Sequence, residues 1–486
     1  MPTTRRDFIR QSAAAIAAGF TPPGSFKFLP ELLKSSGSSK RVIIVGAGLA
    51  GLSAAYELTK AGHDVTILEA RTRPGGRVYT LREPFSDGLY AEGGATWIPQ
   101  THDLTLGYIK EFGLEVEPFW PEGLNTVAYA RGRRHVLKGN APLESFKLTA
   151  EEHELGVGGL RRKYLAAARQ AIGNPAAPDW KVESFKEYDE VSYADFLRRQ
   201  GASEEAVALL SLGMLWGDGV ETVSALTIFR DNAHIGVPGS KVKGGNDLLP
   251  KAFAAKLADK IHYGSPVVRI EHDRNGARVV FLQAGAHQTL SCAHLVIAVP
   301  FSVLRRIEIK PRFSEGKQKA IETLPYFSAA RVYLQSRKKF WIEQQLDGFA
   351  TSDLTITDVW DMTSNRPGPR GILHSYAGGP QARTITAMKE GERIRFALDQ
   401  MEKIYPGIKA NFEGGASKCW DEDEWSRGAS SWYRPGQMSE LWPHIARPEG
   451  RVHFAGDHTS PYIRWQQGAL HSGNRVAREI NEASDD

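Results

Sequence analysis

Val42-Ile43-Ile44-Val45-Gly46-Ala47-Gly48-Leu49-Ala50-Gly51 is the stretch on which the fold turns. Four β-branched residues in a row read as a strand buried on both faces, as a parallel sheet requires. They run directly into glycines spaced G-x-G-x-x-G, and residues 52–60 follow with helical spacing. A second strand, Asp64-Val65-Thr66-Ile67-Leu68, ends in Glu69, 18 residues after Gly51. Strand, glycines, helix, strand and terminal carboxylate together make the fingerprint of a dinucleotide-binding βαβ unit. In such a unit Gly46 permits the turn, Gly48 lets backbone approach a pyrophosphate, and Gly51 lets helix and strand pack closely. The helix N-terminus then faces the phosphates. Glu69 is placed to accept the ribose hydroxyls of an adenosine, and its charge would repel a 2′-phosphate, which argues against NADP.

Moving outward, Ala70 adjoins the acidic residue and Arg71-Thr72-Arg73-Pro74-Gly75-Gly76-Arg77 follows. Gly75 and Gly76 allow another close backbone approach, and Arg77 can bridge to phosphate by a bidentate contact. Gly93-Gly94-Ala95-Thr96-Trp97-Ile98 comes next. The middle of the chain holds Gly244-Gly245-Asn246-Asp247-Leu248-Leu249-Pro250 and Gly264-Ser265-Pro266-Val267-Val268. Near the C-terminus stand Phe454-Ala455-Gly456-Asp457-His458-Thr459-Ser460, Trp465-Gln466-Gln467-Gly468-Ala469-Leu470 and Ser472-Gly473. This succession resembles the flavin-containing amine oxidase family, which includes monoamine, polyamine and L-amino-acid oxidases. The resemblance covers the chain apart from residues 1–39.

The resemblance implies an α/β protein with a discontinuous FAD-binding Rossmann-like (GR2-type) domain from residues 40–95, 238–320 and 425–486. A mixed-sheet substrate domain would come from 96–137 and 321–424, and a helical subdomain from 138–237. Within the helical part, Thr149 and Glu152 make a capping box, Ser192 can cap the helix holding Phe196 and Leu197, and Ser203 precedes acidic Glu204 and Glu205. FAD would lie along Gly46, Gly48, Ala50, Gly51, Glu69, Ala70, Arg71, Gly75, Gly76, Arg77, Gly93, Gly94, Ala95 and Thr96, with Val267 against adenine. Gly456 and Asp457 would hold the ribityl chain. The backbone of Gln467, Gly468 and Ala469 would present a helix N-terminus to the flavin's pyrimidine edge, where a positive dipole end stabilises the reduced anion.

Amine oxidation needs little acid–base machinery. A neutral amine loses hydride from its α-carbon to the flavin, and the imine hydrolyses to a carbonyl plus ammonia or a smaller amine. The protein places that C–H and excludes competing chemistry. Family members flank the amine with an aromatic pair. Trp465 falls at one wall and Ser430 at the other, so half of a monoamine-oxidase cage is expected; the plain alternative for Trp465 is core filling. Ala429 falls where mitochondrial monoamine oxidases attach FAD through cysteine, so noncovalent FAD is expected.

Trp97 stands where amino-acid oxidases carry the arginine that clamps the substrate carboxylate, which tilts the expected substrate toward a carboxylate-free amine. Arg464 or Arg434 could restore the clamp, so L-amino-acid oxidation is the alternative. Trp360, His374 and Tyr376 are pocket candidates from their place in the substrate domain, or packing residues of its strands. Arg331 occupies the position of a family lysine that holds a water at the flavin's reactive nitrogen. Arginine cannot lose its proton, so poor reoxidation by dioxygen and service by a quinone or cytochrome is one expectation. The other is a register slip that puts Arg331 on a solvated face. A flavin desaturase and a noncatalytic flavin-binding protein are the more distant readings.

At 486 residues the chain suits two large domains or about three smaller ones. Its 41% hydrophobic and 24% charged residues describe a globular protein and exclude global disorder. Lys+Arg 61 against Asp+Glu 56 leaves +5, with the basic residues scattered, which speaks against a nucleic-acid partner. Cys292 and Cys419 are the only cysteines, too few for a disulfide framework or a cysteine-ligated zinc site; one disulfide between them stays open in an exported protein. No metal site is expected. Thr3-Thr4-Arg5-Arg6-Asp7-Phe8-Ile9-Arg10, ahead of the alanine-rich residues 13–20, resembles a twin-arginine export signal. That run is short of the ~20 apolar residues of a membrane span. A periplasmic or secreted bacterial enzyme is expected, tethered to its signal by Ser35-Ser36-Gly37-Ser38-Ser39. The expected partners are a small-molecule amine and dioxygen or a redox acceptor, with a homodimer compatible.

Overall fold

Val42 and Ile44 are fully buried on one face of their strand, Ile43 and Val45 nearly so on the other, because that strand lies at the centre of a five-stranded parallel sheet. The computed structural model describes residues 38–137, 143–177, 179–232 and 237–484; the twin-arginine stretch and most of the tether lie outside them. Strand β1 (Arg41–Val45) feeds helix α1 (Leu49–Lys60) and returns to β2 (Asp64–Leu68). The full order is Ile261–His262, β2, β1, His294–Ile297 and Val452–Phe454, all parallel, with Val45 opposite both Leu68 and Ile297. Three separate parts of the chain therefore build one sheet.

The C-terminal helix Gln466–Glu482 lies against α1, and Leu470, Val476, Ala477 and Ile480 share a core with Leu49, Leu52 and Leu58. The two backbones approach closely at Gly473, where a methyl group would stand 2.1 Å from Ser53 Oγ and 2.4 Å from Ala50 O. Any side chain there would push the helices apart.

A second sheet of seven strands runs Phe412–Cys419, Ala329–Ser336, Gly371–Gly378, Asp358–Asp361, Leu346–Ser352, Asn125–Ala130 and Arg133–Val136. The strands Ala329–Ser336 and Gly371–Gly378 are buried along their whole length, which explains their near-absence of charge. Residues 150–232 form a helical layer whose helices pack on one another. Its helices begin at the capping residues expected from the sequence: Glu152 N reaches Thr149 Oγ1 at 3.3 Å while Thr149 N reaches Glu152 Oε2, and Ser192 and Ser203 cap Tyr193–Arg199 and Glu204–Ser211. The long helix Ala150–Ile172 breaks at Gly156, whose φ of 60° no other residue type adopts without strain. Among the described residues no helix is long and apolar enough to cross a membrane.

Candidate active site

A cavity of about 510 Å³ opens where the parallel strands end, and it runs on without a break between the seven-stranded sheet and the helical layer. Ligands of open α/β sheets bind outside the carboxyl ends of the strands, and the β1–α1 turn stands there. Gly46 (φ 103°) turns the chain; its amide donates to Leu68 O at 2.8 Å, and Gly75 N donates to Ala47 O at 2.8 Å. Gly48 is the N-cap of α1 without a side-chain cap, and the space beside its Cα is open. The unpartnered amides of the first helical turn therefore face the cavity. Glu69 sits just beyond, buried, accepting from Ala47 N at 2.7 Å and Arg71 N at 2.8 Å. Burial holds its carboxyl above the usual carboxylate range, and those two amides offset part of that rise. Each oxygen keeps a lone pair for a ribose hydroxyl. Ala50, Ala70, Gly75, Gly76, Gly94, Ala95, Thr96, Ser265 and Val267 complete this half of the wall.

Asp457 and Arg77 join the two ends of the chain. Arg77 donates from Nη2 to Asp457 Oδ1 and from Nη1 to Ala429 O at 2.6 Å. The fork expected to grip phosphate thus braces the Ala429 loop against the Gly456-Asp457 turn. Burial works to raise the Asp457 carboxyl, and Arg77 beside it, with His458, holds it below the usual carboxylate range. Asp457 Oδ2 also accepts the amide of Arg464 at 3.1 Å. Arg71 lines the cavity but pairs with Asp423 and Ser426. Gly51, Gly93, Gln467 and Gly468 stand behind the wall. A methyl group on Gly51 would meet Gly46 O at 2.0 Å and one on Gly468 would meet Tyr462 O at 2.0 Å. The Gln467 side chain accepts from Thr105 N and donates to Asp103. Gln466 and Ala469, at the start of the same helix, do line the cavity.

An open glycine-capped helix start, a buried carboxylate with spare lone pairs, a second helix start at Trp465 and a long continuous cavity suit a dinucleotide with a planar ring system. These residues would hold the ADP half at Gly48 and Glu69, and the ring before Trp465.

The substrate half is aromatic and basic. Trp465 meets Trp97 edge to face at 5.1 Å between ring centroids, so Trp97 supplies the second aromatic surface that Ser430, also in the wall, does not. Trp465 is no core filler: it lines the cavity, and its Nε1 donates to Asp231 Oδ1 at 2.6 Å. Trp360 and Tyr376 line the cavity as expected, perpendicular at 5.4 Å. His374 does not; it is fully buried between the Tyr333 and Tyr376 rings, and burial holds its imidazole neutral.

Arg331 is 5% exposed and lines the cavity, so the register slip onto a solvated face is wrong. The reason is pairing on both sides: its strand matches residue 331 with Tyr376 on one neighbour and Lys418 on the other. Its guanidinium lies 4.2 Å from the Tyr376 ring and donates to Glu92 O at 2.9 Å and Thr96 Oγ1 at 2.8 Å. Arg464 also reaches the cavity, whereas Arg434 is exposed and stacks on Trp432. Arg464 has φ 75° and stacks at 4.0 Å on Trp216, with Asp231 Oδ2 4.0 Å away. Cys292 and Cys419 are free, buried and outside the lining.

Sequence reading passed over Trp120, Arg161, Arg169, Tyr193, Trp216 and Asp231, all of which line the cavity. Most come from the helical layer, where no local motif marks them. The one available signal was the four-residue recurrence of Arg161, Leu165 and Arg169 on a single helix face.

Residues 49–481 match the family described as flavin containing amine oxidoreductase. YobN of Bacillus subtilis (strain 168) is 33% identical over 94% of this chain and 97% of its own length. The L-amino-acid oxidase of Siganus canaliculatus is 30% identical, over 92% of this chain and 86% of its own. The solved structure of cyclohexylamine oxidase from Brevibacterium oxydans IH-35A superposes with a TM-score of 0.79 at 24% identity, covering 92% of this chain and 99% of that one. With the family match spanning almost the whole chain and the cavity walled by its motif residues, this protein belongs to the flavin-containing amine oxidoreductases.

Proposed function

We infer that the chain oxidises an α-amino acid, binding FAD noncovalently, and that Arg464 holds the substrate carboxylate. One observation carries this reading: among the described residues, the substrate half of the cavity presents Arg161, Arg169, Arg331 and Arg464 against Asp231 and Asp358. A diamine would bring a second cation into a basic, poorly solvated space and be repelled, whereas a zwitterion brings an anion to it. Arg464 is the arginine adjoining Trp465, and its nearest carboxylate stands no closer than 4.0 Å. It replaces in function the clamp that Trp97 does not supply. The relative from Siganus canaliculatus, named an L-amino-acid oxidase, supports the same direction.

Bound flavin supplies a two-electron hydride acceptor. The chain does the positioning. Trp97 and Trp465, in edge-to-face contact, offer one continuous aromatic surface beside the neutral amino group, Arg464 fixes the carboxylate, and together they aim the Cα–H bond. With the flavin held there, the α-hydrogen would pass to it as hydride, water would hydrolyse the imino acid to a 2-oxo acid and ammonia, and dioxygen or another acceptor would take up the electrons. Ala429 in the wall and both cysteines outside it support noncovalent attachment. The twin-arginine sequence supports export to the periplasm or beyond, which cell fractionation of a tagged chain would check.

The test is anaerobic mixing of the holoenzyme with matched pairs, such as L-leucine and isopentylamine. Bleaching by the amino acid at least tenfold faster supports the reading; preference for the amine overturns it.

A further inference from the structure

Beyond the break at Gly156, helix Ala150–Ile172 turns Arg161, Leu165 and Arg169 to the cavity, at a spacing that puts them on one face. Tyr193 and Leu210, from the next helices, line the same region. Arg169 is part-buried at the cavity wall, and an arginine with little access to water is ordinarily neutralised by a carboxylate of its own protein. Arg169 is not: among the described residues no carboxylate lies within ion-pair reach, and its Nε is buried with no hydrogen-bond partner. Burial lowers its affinity for its proton and only the Tyr193 phenol works against that; Arg161 and Arg169 in turn act on Tyr193. All three groups line the same cavity. Arg169 also lies in the last turn of its helix, where a cation offsets the dipole, yet that role is met equally by a guanidinium in water and gives no reason to turn one toward a cavity.

We propose that Arg169, Arg161 and Tyr193 form a second anion subsite, which takes a carboxylate carried on the substrate's side chain, so that the enzyme favours acidic α-amino acids over neutral ones. This rests on the amino-acid reading above. Arg464 comes from the wall that precedes Trp465 and the cluster from the helical layer, so two walls supply cations for two carboxylates. A planar guanidinium and a phenol suit a carboxylate's two oxygens.

The experiment compares L-glutamate with its neutral isostere L-glutamine, by anaerobic flavin reduction, in the holoenzyme and in Arg169→Gln and Arg169→Lys. Wild type is expected to prefer glutamate. Arg169→Gln should lower the glutamate-to-glutamine ratio of kcat/KM by about 10- to 100-fold, the loss of one charge-assisted contact in a dry site, and Arg169→Lys should recover part of it. Glutarate, which has no amine, should perturb the flavin spectrum at lower concentration than butyrate in wild type. Should Arg169→Gln fail to fold, the wild-type substrate ratio and the glutarate titration decide alone. Preference for glutamine, or an equal loss on both substrates in Arg169→Gln, overturns the subsite while leaving amino-acid oxidation standing. Preference for isopentylamine over leucine overturns both, and is read without any Arg169 variant.

Discussion

Asp231 Oδ1 receives the indole N–H of Trp465 at 2.6 Å, tying helix Ala225–Asn232 to the start of the C-terminal helix. The two residues are 234 positions apart, and the bond fixes the plane of the ring that walls the amine site. Burial pushes the Asp231 carboxyl up, while Arg464 and the indole N–H pull it down, so its charge depends on both neighbours. Asp231→Leu frees the ring and leaves Arg464 without its nearest carboxylate. The rate of anaerobic flavin reduction should fall about 10- to 100-fold, the scale of a slightly misplaced reacting group. Asp231→Asn, which can still accept the bond, should lose much less. Equal rates in Asp231→Leu and wild type would show that the indole needs no anchor.

Arg464→Gln should raise KM for amino acids by about 10- to 100-fold and leave the decarboxylated amines nearly untouched, since only the former lose a charge-assisted partner. Arg434→Gln serves as the control: Arg434 is exposed and outside the cavity, and its removal should change neither class. Steady-state kinetics on paired substrates reads both outcomes.

Arg331 brings a permanent, buried cation to a position beside Thr96. Arg331→Lys keeps the charge but shortens the reach and restores a group that can hold a water. Reduced Arg331→Lys enzyme should react with dioxygen at least tenfold faster than wild type, followed by the return of flavin colour after admitting air. No change would discard the idea that this arginine steers electrons to an acceptor other than dioxygen.

Lys317 is fully buried, donating to Ile445 O at 2.7 Å with its Nζ 3.5 Å from the centre of the Phe454 ring. Burial pushes its ammonium down to about 6 from the ordinary lysine value of 10.5. Between those two values the unfolded chain holds a proton that the folded chain lacks, so stability rises with pH across that window and is lost as pH falls toward 6. Lys317→Met removes the group. Its Tm should exceed that of wild type by a margin that grows as pH falls from 10 to 6 and levels off below. A margin independent of pH would mean that Lys317 is buried charged.

Noncovalent attachment is checked by acid precipitation. All of the flavin should appear in the supernatant, and colour retained in the washed pellet would contradict the placement of Cys292 and Cys419 outside the cavity.

The glycine-rich turn, Glu69 and the start of α1 were legible in the sequence because the determinants are local. A turn that must approach a phosphate admits only glycine at set spacings, and a strand buried on both faces must be apolar throughout. The capping residues Thr149, Ser192 and Ser203 were legible for the same reason, since each satisfies amides within three residues of itself. The tertiary structure decided everything that depends on residues meeting across the fold. It joined Arg77 to Asp457, 380 positions away, and set Trp97 against Trp465 in the aromatic wall. It placed Arg464 at the cavity and Arg434 outside it, and buried Arg331 by pairing its strand on both sides. It also left Arg169 facing the cavity with no carboxylate paired to it among the described residues. Such charges carry no local signature, because whether an arginine is solvated, paired or waiting for a ligand is settled by the groups that surround it, and those come from every part of the chain.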